Sequence, residues 1–209
     1  DDLRVIYQSN GDGNWELYEL ELSTLLPQRL TDTPEAEEFP SYSPDGLWIL
    51  CTVHDPSTDP SPPRDILLIS SDMRTRKIIA KNGADDWYPR FSPDGSAIYF
   101  VSDRVDDRRG TDEQNRISAI FRYDMDSENL EQISSGNDES APWPLENGSF
   151  LYRDANGGLL FSDTSGYVSE LENNLAGDWI LGGPSALSHE DYYLMGKLGT
   201  MGSQIIHRK

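Results

Sequence analysis

Three observations in this 209-residue sequence predict an all-β fold, a β-propeller of four-stranded antiparallel blades. The stretch FPSYSPDGLWIL (residues 39–50) returns as YPRFSPDGSAIYF (residues 88–100), each an aromatic-Pro-x-aromatic-Ser-Pro-Asp-Gly turn followed by an apolar run. Strand-like segments recur at about ten-residue spacing with Gly, Pro, Asn and Asp between them. No stretch reads as a helix longer than a turn or so. A strand-turn-strand unit with a period near fifty residues is the signature of a repeat architecture. Four-stranded units repeated radially leave only short protected edges, which is the propeller solution.

The period carries across the chain. Two weaker copies follow, PWPLENGSFLY (residues 142–152) and PSALSHEDYYL (residues 184–194). The prolines at 40, 89, 142 and 184 are 49, 53 and 42 residues apart. Labelling the strands of a unit a to d from the inside out, a is expected at 41–43, 90–92, near Trp143 and near Ala186. Strand b follows at 48–53, 97–102, 149–153 and 192–196, and c, half-buried, at 65–70, 118–123, 158–162 and 204–207. Strand d is short and polar, at 28–31, 76–80, 130–134 and 168–171. Residues 3–9 align with a strand b, and residues 15–20 with a strand c. The chain is therefore expected to hold three complete units flanked by two partial ones: 3–31, 40–80, 89–134, 142–171 and 184–209. They form one propeller domain of about five blades over residues 1–209, or a portion of a larger propeller.

Composition narrows the function. Asp and Glu number 37 against 17 Lys and Arg, a net charge of −20, which repels nucleic acid and anionic membrane surfaces. No apolar run approaches the roughly 18 residues that span a bilayer, and no signal peptide is visible in the chain. The hydrophobic share is 36% and aromatics are 10%, which suits short strands with one wet face. Cys51, the one cysteine, lies in an apolar run and reads as a small core residue.

Pro44-Asp45-Gly46 and Pro93-Asp94-Gly95 are read as structural turns between a and b: Pro presets φ, Asp bonds nearby amides and Gly supplies a position without Cβ. Asn10, Asp12 and Asn14 place side-chain oxygens at alternate positions, as calcium loops do, but the bidentate Glu of such loops is missing. A plain hairpin turn is the preferred reading there, with calcium as the alternative. Nucleophile and zinc-protease motifs are absent, and the three histidines show no metal-ligand spacing. His54 opens a Pro-rich loop and is expected in solvent. No catalytic residue or cofactor is assigned.

The unit Leu30-Thr31, an acidic spacer over residues 32–39, then Pro40-Ser41-Tyr42-Ser43-Pro44-Asp45-Gly46 and an apolar strand resembles the WD40-like PD40 repeats of TolB-type propellers. The likeness is strong to about Ile133 and weak beyond, and the extra N-terminal domain and six blades of bacterial TolB are not visible. It implies a bacterial, periplasmic or extracellular setting and a non-enzymatic scaffold that docks a protein at one mouth of the channel. In such blades the d–a and b–c connections share a face. That face would present Glu35, Glu37, Glu38, Asp85, Asp86, Trp87, Asp138 and Glu139 to a protein or peptide partner, a basic one by charge. Phe39 and Tyr88 are expected to pack between blades, leaving Trp87 as the exposed aromatic. The alternative is the gating propeller of a prolyl-oligopeptidase-like peptidase, whose blades carry similar Ser-Pro-Asp-Gly turns. A glycoside-active propeller is a third reading.

Overall fold

A computed structural model describes residues 4–57, 63–105 and 117–170, and the backbone of two further strands, Trp179–Gly182 and Tyr193–Gly196. Seventeen strands make five antiparallel sheets, with no helix among the described residues. The first sheet joins β1 (Arg4–Ser9), β2 (Glu16–Glu21) and β3 (Leu26–Arg29). The second joins β4 (Ala36–Tyr42), β5 (Trp48–His54), β6 (Asp65–Ser70) and β7 (Arg76–Ile79). The third joins β8 (Asp86–Phe91), β9 (Ala97–Ser102), β10 (Ala119–Asp124) and β11 (Leu130–Gln132). The fourth joins β12 (Ser140–Pro144), β13 (Phe150–Arg153), β14 (Leu159–Ser162) and β15 (Val168–Glu170). The last pairs β16 (Trp179–Gly182) with β17 (Tyr193–Gly196).

Three four-stranded meanders thus stand between a three-stranded and a two-stranded sheet, and each is a propeller blade. The strand paired with β17 lies upstream of the Ala186 position expected for it. Ala186 itself, His189, His207 and the strand expected at 204–207 fall outside the described residues, as do 58–62 and 106–116 of the two long b–c insertions.

Packing between neighbouring sheets explains the apolar runs. On β5, Leu50 faces the third sheet and packs with Ile98, Phe100 and Phe121. Its neighbours Ile49, Cys51 and Val53 face the first sheet and pack with Leu17. Strand β9 repeats the pattern: Ile98 and Phe100 meet the second sheet, while Ala97 and Tyr99 meet Phe150 and Tyr152 of the fourth. A blade inside the array is covered on both faces, so its strands lose the polar alternation of a half-wet sheet. The expectation of one wet face, and of half-buried c strands, is corrected for the second and third blades, where Ile66, Leu67, Leu68 and Ile69 of β6 are all buried and β10 largely so, whereas Leu159, Leu160 and Phe161 of β14 are half-buried as expected. Burial also pushes the Cys51 thiol well above its ordinary pKa, which leaves it a packing residue.

The a–b turns are built alike. In the second sheet Ser43 Oγ donates to Asp45 Oδ1 at 2.5 Å, and Leu47 N donates to the same oxygen at 3.0 Å. In the third, Ser92 Oγ and Ser96 N donate to Asp94 Oδ1 at 2.6 and 3.0 Å, holding its carboxyl below the usual range. Gly46 and Gly95 close these turns at φ of 70° and 74°. A Cβ at Gly95 would meet only Pro44, its Cδ at 3.5 Å and Cγ at 3.9 Å, so backbone strain rather than collision opposes substitution. Gly95→Val is expected to destabilise the protein by more than about 1 kcal/mol, because a β-branched residue resists positive φ. Thermal unfolding checks this, and an unchanged melting temperature would contradict it.

Candidate functional site: the inner strands and their carboxylates

The innermost strand of each complete blade carries the same irregularity. Register shifts fall between Glu38 and Ser41, Trp87 and Arg90, and Ser140 and Trp143. The residue before the proline adopts left-handed φ in every case: 57° at Phe39, 52° at Tyr88 and 50° at Ala141. Left-handed backbone costs a non-glycine residue roughly 1–2 kcal/mol and tends to gather at functional sites. Here it turns two aromatic rings out of the ladder. Phe39 and Tyr88 are each 45% exposed and meet edge to face, with centroids 6.0 Å apart. The Phe39 amide donates to Gln8 Oε1 of the first sheet at 2.5 Å.

Phe39 and Tyr88 thus meet between two blades as expected, but their exposure and that of Trp87 differ from expectation. Phe39 and Tyr88 are the exposed pair, whereas Trp87 is half-buried beneath Arg64, whose guanidinium lies 5.2 Å from the ring centroid. The bulge is the cause, since it re-aims one side chain and returns the strand to its register.

Two residues before each left-handed position stands a buried carboxylate. Glu37 is 0% exposed, Asp86 0% and Glu139 2%. Glu37 Oε1 accepts from Arg76 Nη2 and from Thr33 Oγ1, both at 2.8 Å. Asp86 accepts from Arg104 Nη2 at 3.0 and 2.9 Å. Glu139 accepts from Ser134 Oγ at 2.8 Å, from the Ser135 hydroxyl, and from the amides of Gly136 and Asn137 at 2.8 and 3.2 Å. Burial disfavours the charged forms of Asp86 and Glu37. It pushes Asp86 up to about 6 against the pull of Arg104, and it raises Glu37 against Arg76.

The eight residues expected on a docking face therefore divide. Glu37, Asp86 and Glu139 face inward, and Asp85, also buried, accepts two bonds from the Arg64 guanidinium at 2.9 and 2.7 Å. Those four are corrected to internal struts. Glu35 and Asp138 are exposed, and Glu38 and Trp87 are half-buried. Arg64–Asp85, Arg104–Asp86 and the Ser118 Oγ bond to the Glu139 carbonyl tie the b–c connections of the second and third blades to neighbouring d–a segments, placing these on one face. His54 is half-buried rather than solvated, with Nδ1 3.8 Å from Glu38 Oε2.

At the first hairpin, Asn14 Nδ2 donates to the carbonyls of Thr33 and Glu35 at 3.1 and 2.6 Å, and Asp12 accepts from the Tyr18 hydroxyl at 2.5 Å. Gly13 N closes the turn on the Asn10 carbonyl at 3.0 Å. These side chains strap the hairpin to the next connection. No cluster of three or more metal-ligating side chains occurs among the described residues. A cleft of 1230 Å³ lies between the third and fourth sheets, with Tyr99, Arg122, Glu131 and Tyr152 on its walls and Glu139 at its edge.

No family model matches the chain. An uncharacterized protein of Agrobacterium fabrum is 26% identical over 149 residues, which cover 68% of this chain and 47% of that protein. TolB from Acinetobacter baumannii superposes with a TM-score of 0.62 at 19% identity, over 93% of this chain and 51% of its own. An oligogalacturonate lyase of Vibrio parahaemolyticus gives 0.63 at 12% identity, over 93% and 55%. A puromycin-hydrolyzing peptidase of Mycobacterium tuberculosis gives 0.57 at 15%, over 87% and 32%. What the three structures share with the chain is the β-propeller fold, which by itself sets no function. The chain spans about half the length of the relative and of the TolB structure it matches. No helix among the described residues is long and apolar enough to cross a membrane.

Proposed function

We propose that this chain is the propeller of a non-enzymatic scaffold that docks a protein or peptide on the face carrying Phe39 and Tyr88. The carrying observation is that exposed aromatic pair, held out by left-handed backbone. Large rigid rings in strained positions are characteristic anchors of binding surfaces. Glu35, exposed, and Glu38, half-buried, stand within four residues of Phe39, and Asp138 is exposed ahead of the inner strand of the fourth sheet; their charge favours a basic partner and speeds its encounter. A periplasmic or extracellular setting accompanies this reading through the resemblance to TolB.

The test is binding of an array of short peptides, Lys-rich and neutral, with and without an aromatic residue. Basic aromatic peptides are expected to bind. The triple variant Glu35→Gln, Glu38→Gln, Asp138→Asn should slow association several-fold at low salt, and Phe39→Ala with Tyr88→Ala should speed dissociation by about tenfold or more. Absence of binding, or binding indifferent to both sets of changes, would sink the proposal. The second reading, the gating propeller of a peptidase, is favoured by the match to the mycobacterial peptidase, of which this chain covers 32%. Peptide turnover by the parent protein, or turnover of aryl glycosides lost in single carboxylate variants, would replace the scaffold with an enzyme.

A further inference from the structure

In a chain of net charge −20, an arginine without a carboxylate is out of place, and Arg90 is one. The other arginines among the described residues have acceptors. Arg64 has Asp85 at 2.7 Å, Arg76 has Glu37 at 2.8 Å, Arg104 has Asp86 at 2.9 Å, and Arg153 donates to the Gly157 carbonyl at 3.3 Å. Arg90 makes neither an ion pair nor a hydrogen bond among the described residues, although it is half-buried on the innermost strand of the third sheet. Its one partner is the Trp143 ring of the next sheet, 4.4 Å from the guanidinium carbon. An aromatic ring covers a guanidinium face and leaves its in-plane N–H groups unoccupied, and those are the groups that grip a carboxylate in bidentate fashion.

The position has a counterpart one blade back. Counting from the repeated proline, Ser41, Arg90 and Trp143 occupy one level of three successive inner strands, opposite Leu50, Tyr99 and Leu151. The Ser41 hydroxyl is buried and has no hydrogen-bond partner. Two successive inner strands therefore each hold a polar donor without an acceptor among the described residues, Ser41 in the seam between the second and third sheets and Arg90 in the seam between the third and fourth. Two residues before Arg90 stands the exposed Tyr88, against Phe39. Unsatisfied buried donors are costly, and a bound acceptor removes the cost.

We infer that Arg90, stacked on Trp143, is a carboxylate-binding site on the inner strand of the third sheet, two residues from the exposed Tyr88 and its ring partner Phe39. The ligand class is an organic carboxylate with an apolar body, either a free small acid or the C-terminus of a peptide. Its sign is opposite to that of the basic partner proposed above, and it holds whether or not that partner exists.

Calorimetric titration decides. The probes are phenylacetate and phenylacetamide, and N-acetyl-glycyl-phenylalanine with a free or an amidated terminus. The carboxylates should bind saturably and raise the melting temperature, and the amides should not. Arg90→Met, and Arg90→Lys, which keeps the charge but not the fork, should weaken carboxylate binding by about tenfold or more. Should the Met variant fail to fold, the Lys variant is sufficient on its own. Stronger binding of the peptide acid identifies a chain terminus as the source, and stronger binding of phenylacetate a small molecule. Equal binding of acid and amide, undiminished binding by the Arg90 variants, or no binding by either acid would overturn the site and leave Arg90 as a packing strut.

Discussion

Arg104→Ala is expected to destabilise the protein by about 3–5 kcal/mol at neutral pH, the usual consequence of removing one partner from a buried ion pair. The Arg104 side chain is 9% exposed and Asp86 is fully buried. The guanidinium also donates to Ser102 Oγ at 2.8 Å and to the Ala80 carbonyl at 3.2 Å, and lies 4.8 Å from the Phe121 ring centroid. Alanine would strand the Asp86 carboxylate and open space beside two phenylalanines. The pH dependence identifies the cause. Burial already raises Asp86 to about 6 in the folded protein, above its ordinary value of 3.8. The folded state therefore holds a proton that the unfolded state has lost, and Asp86 reduces stability as pH rises between these values. Without Arg104 the carboxyl rises further. The cost of the substitution should then be greatest near pH 7.5 and markedly smaller near pH 4.5. Urea unfolding of both proteins at the two pH values tests this, and an equal loss at both would mean that Asp86 does not depend on Arg104.

Phe100→Ala should cost a similar amount, about 3–5 kcal/mol, for a different reason. Phe100 is completely buried at the seam between the second and third sheets, stacked on Phe121 with centroids 6.0 Å apart. Leu50, Ile66 and Ile98 close around it and belong to sheets fixed by their own ladders, so the void cannot collapse freely. Leu47→Ala provides the contrast: that leucine is 60% exposed beside a turn, and its loss should stay within about 0.5 kcal/mol. Denaturant midpoints of the two variants measure the difference. Near-equal midpoints would refute the seam as the main source of stability.

The second strand of each blade was legible because its signals are local. A rigid Pro-Asp-Gly turn precedes an apolar run, and the expected 97–102 coincides with β9 while 48–53 falls one residue short of the end of β5. The third strand of the second blade, 65–70, coincides with β6. The inner strands are longer than the sequence pattern indicates. They begin before the proline, at Ala36, Asp86 and Ser140, because Glu37 and Glu38 pair with Val53 and Thr52 across the ladder. Acidic residues next to a turn resemble a solvated loop, and their burial depends on cations distant in sequence. Arg76 lies 39 residues after Glu37, and Arg104 18 residues after Asp86. One signal was available, the recurrence of an acid three residues before each inner proline, at Glu37, Asp86 and Glu139. The left-handed backbone of Phe39 and Tyr88 left no such trace, since a residue before proline ordinarily prefers extended geometry. Their exposure follows from that backbone, and composition could not reveal it.

The buried anion at the head of each inner strand has a consequence for how the modules relate. All three blades keep it, yet each neutralises it from a different source: an outer-strand arginine for Glu37, an arginine of the b–c connection for Asp86, and hydroxyls with backbone amides for Glu139. The blades are alike in outline but not interchangeable. A chimera that swaps one inner strand into another blade would import a charge and leave its counter-ion behind, so recombination between these repeats must carry strand and neutralising segment together.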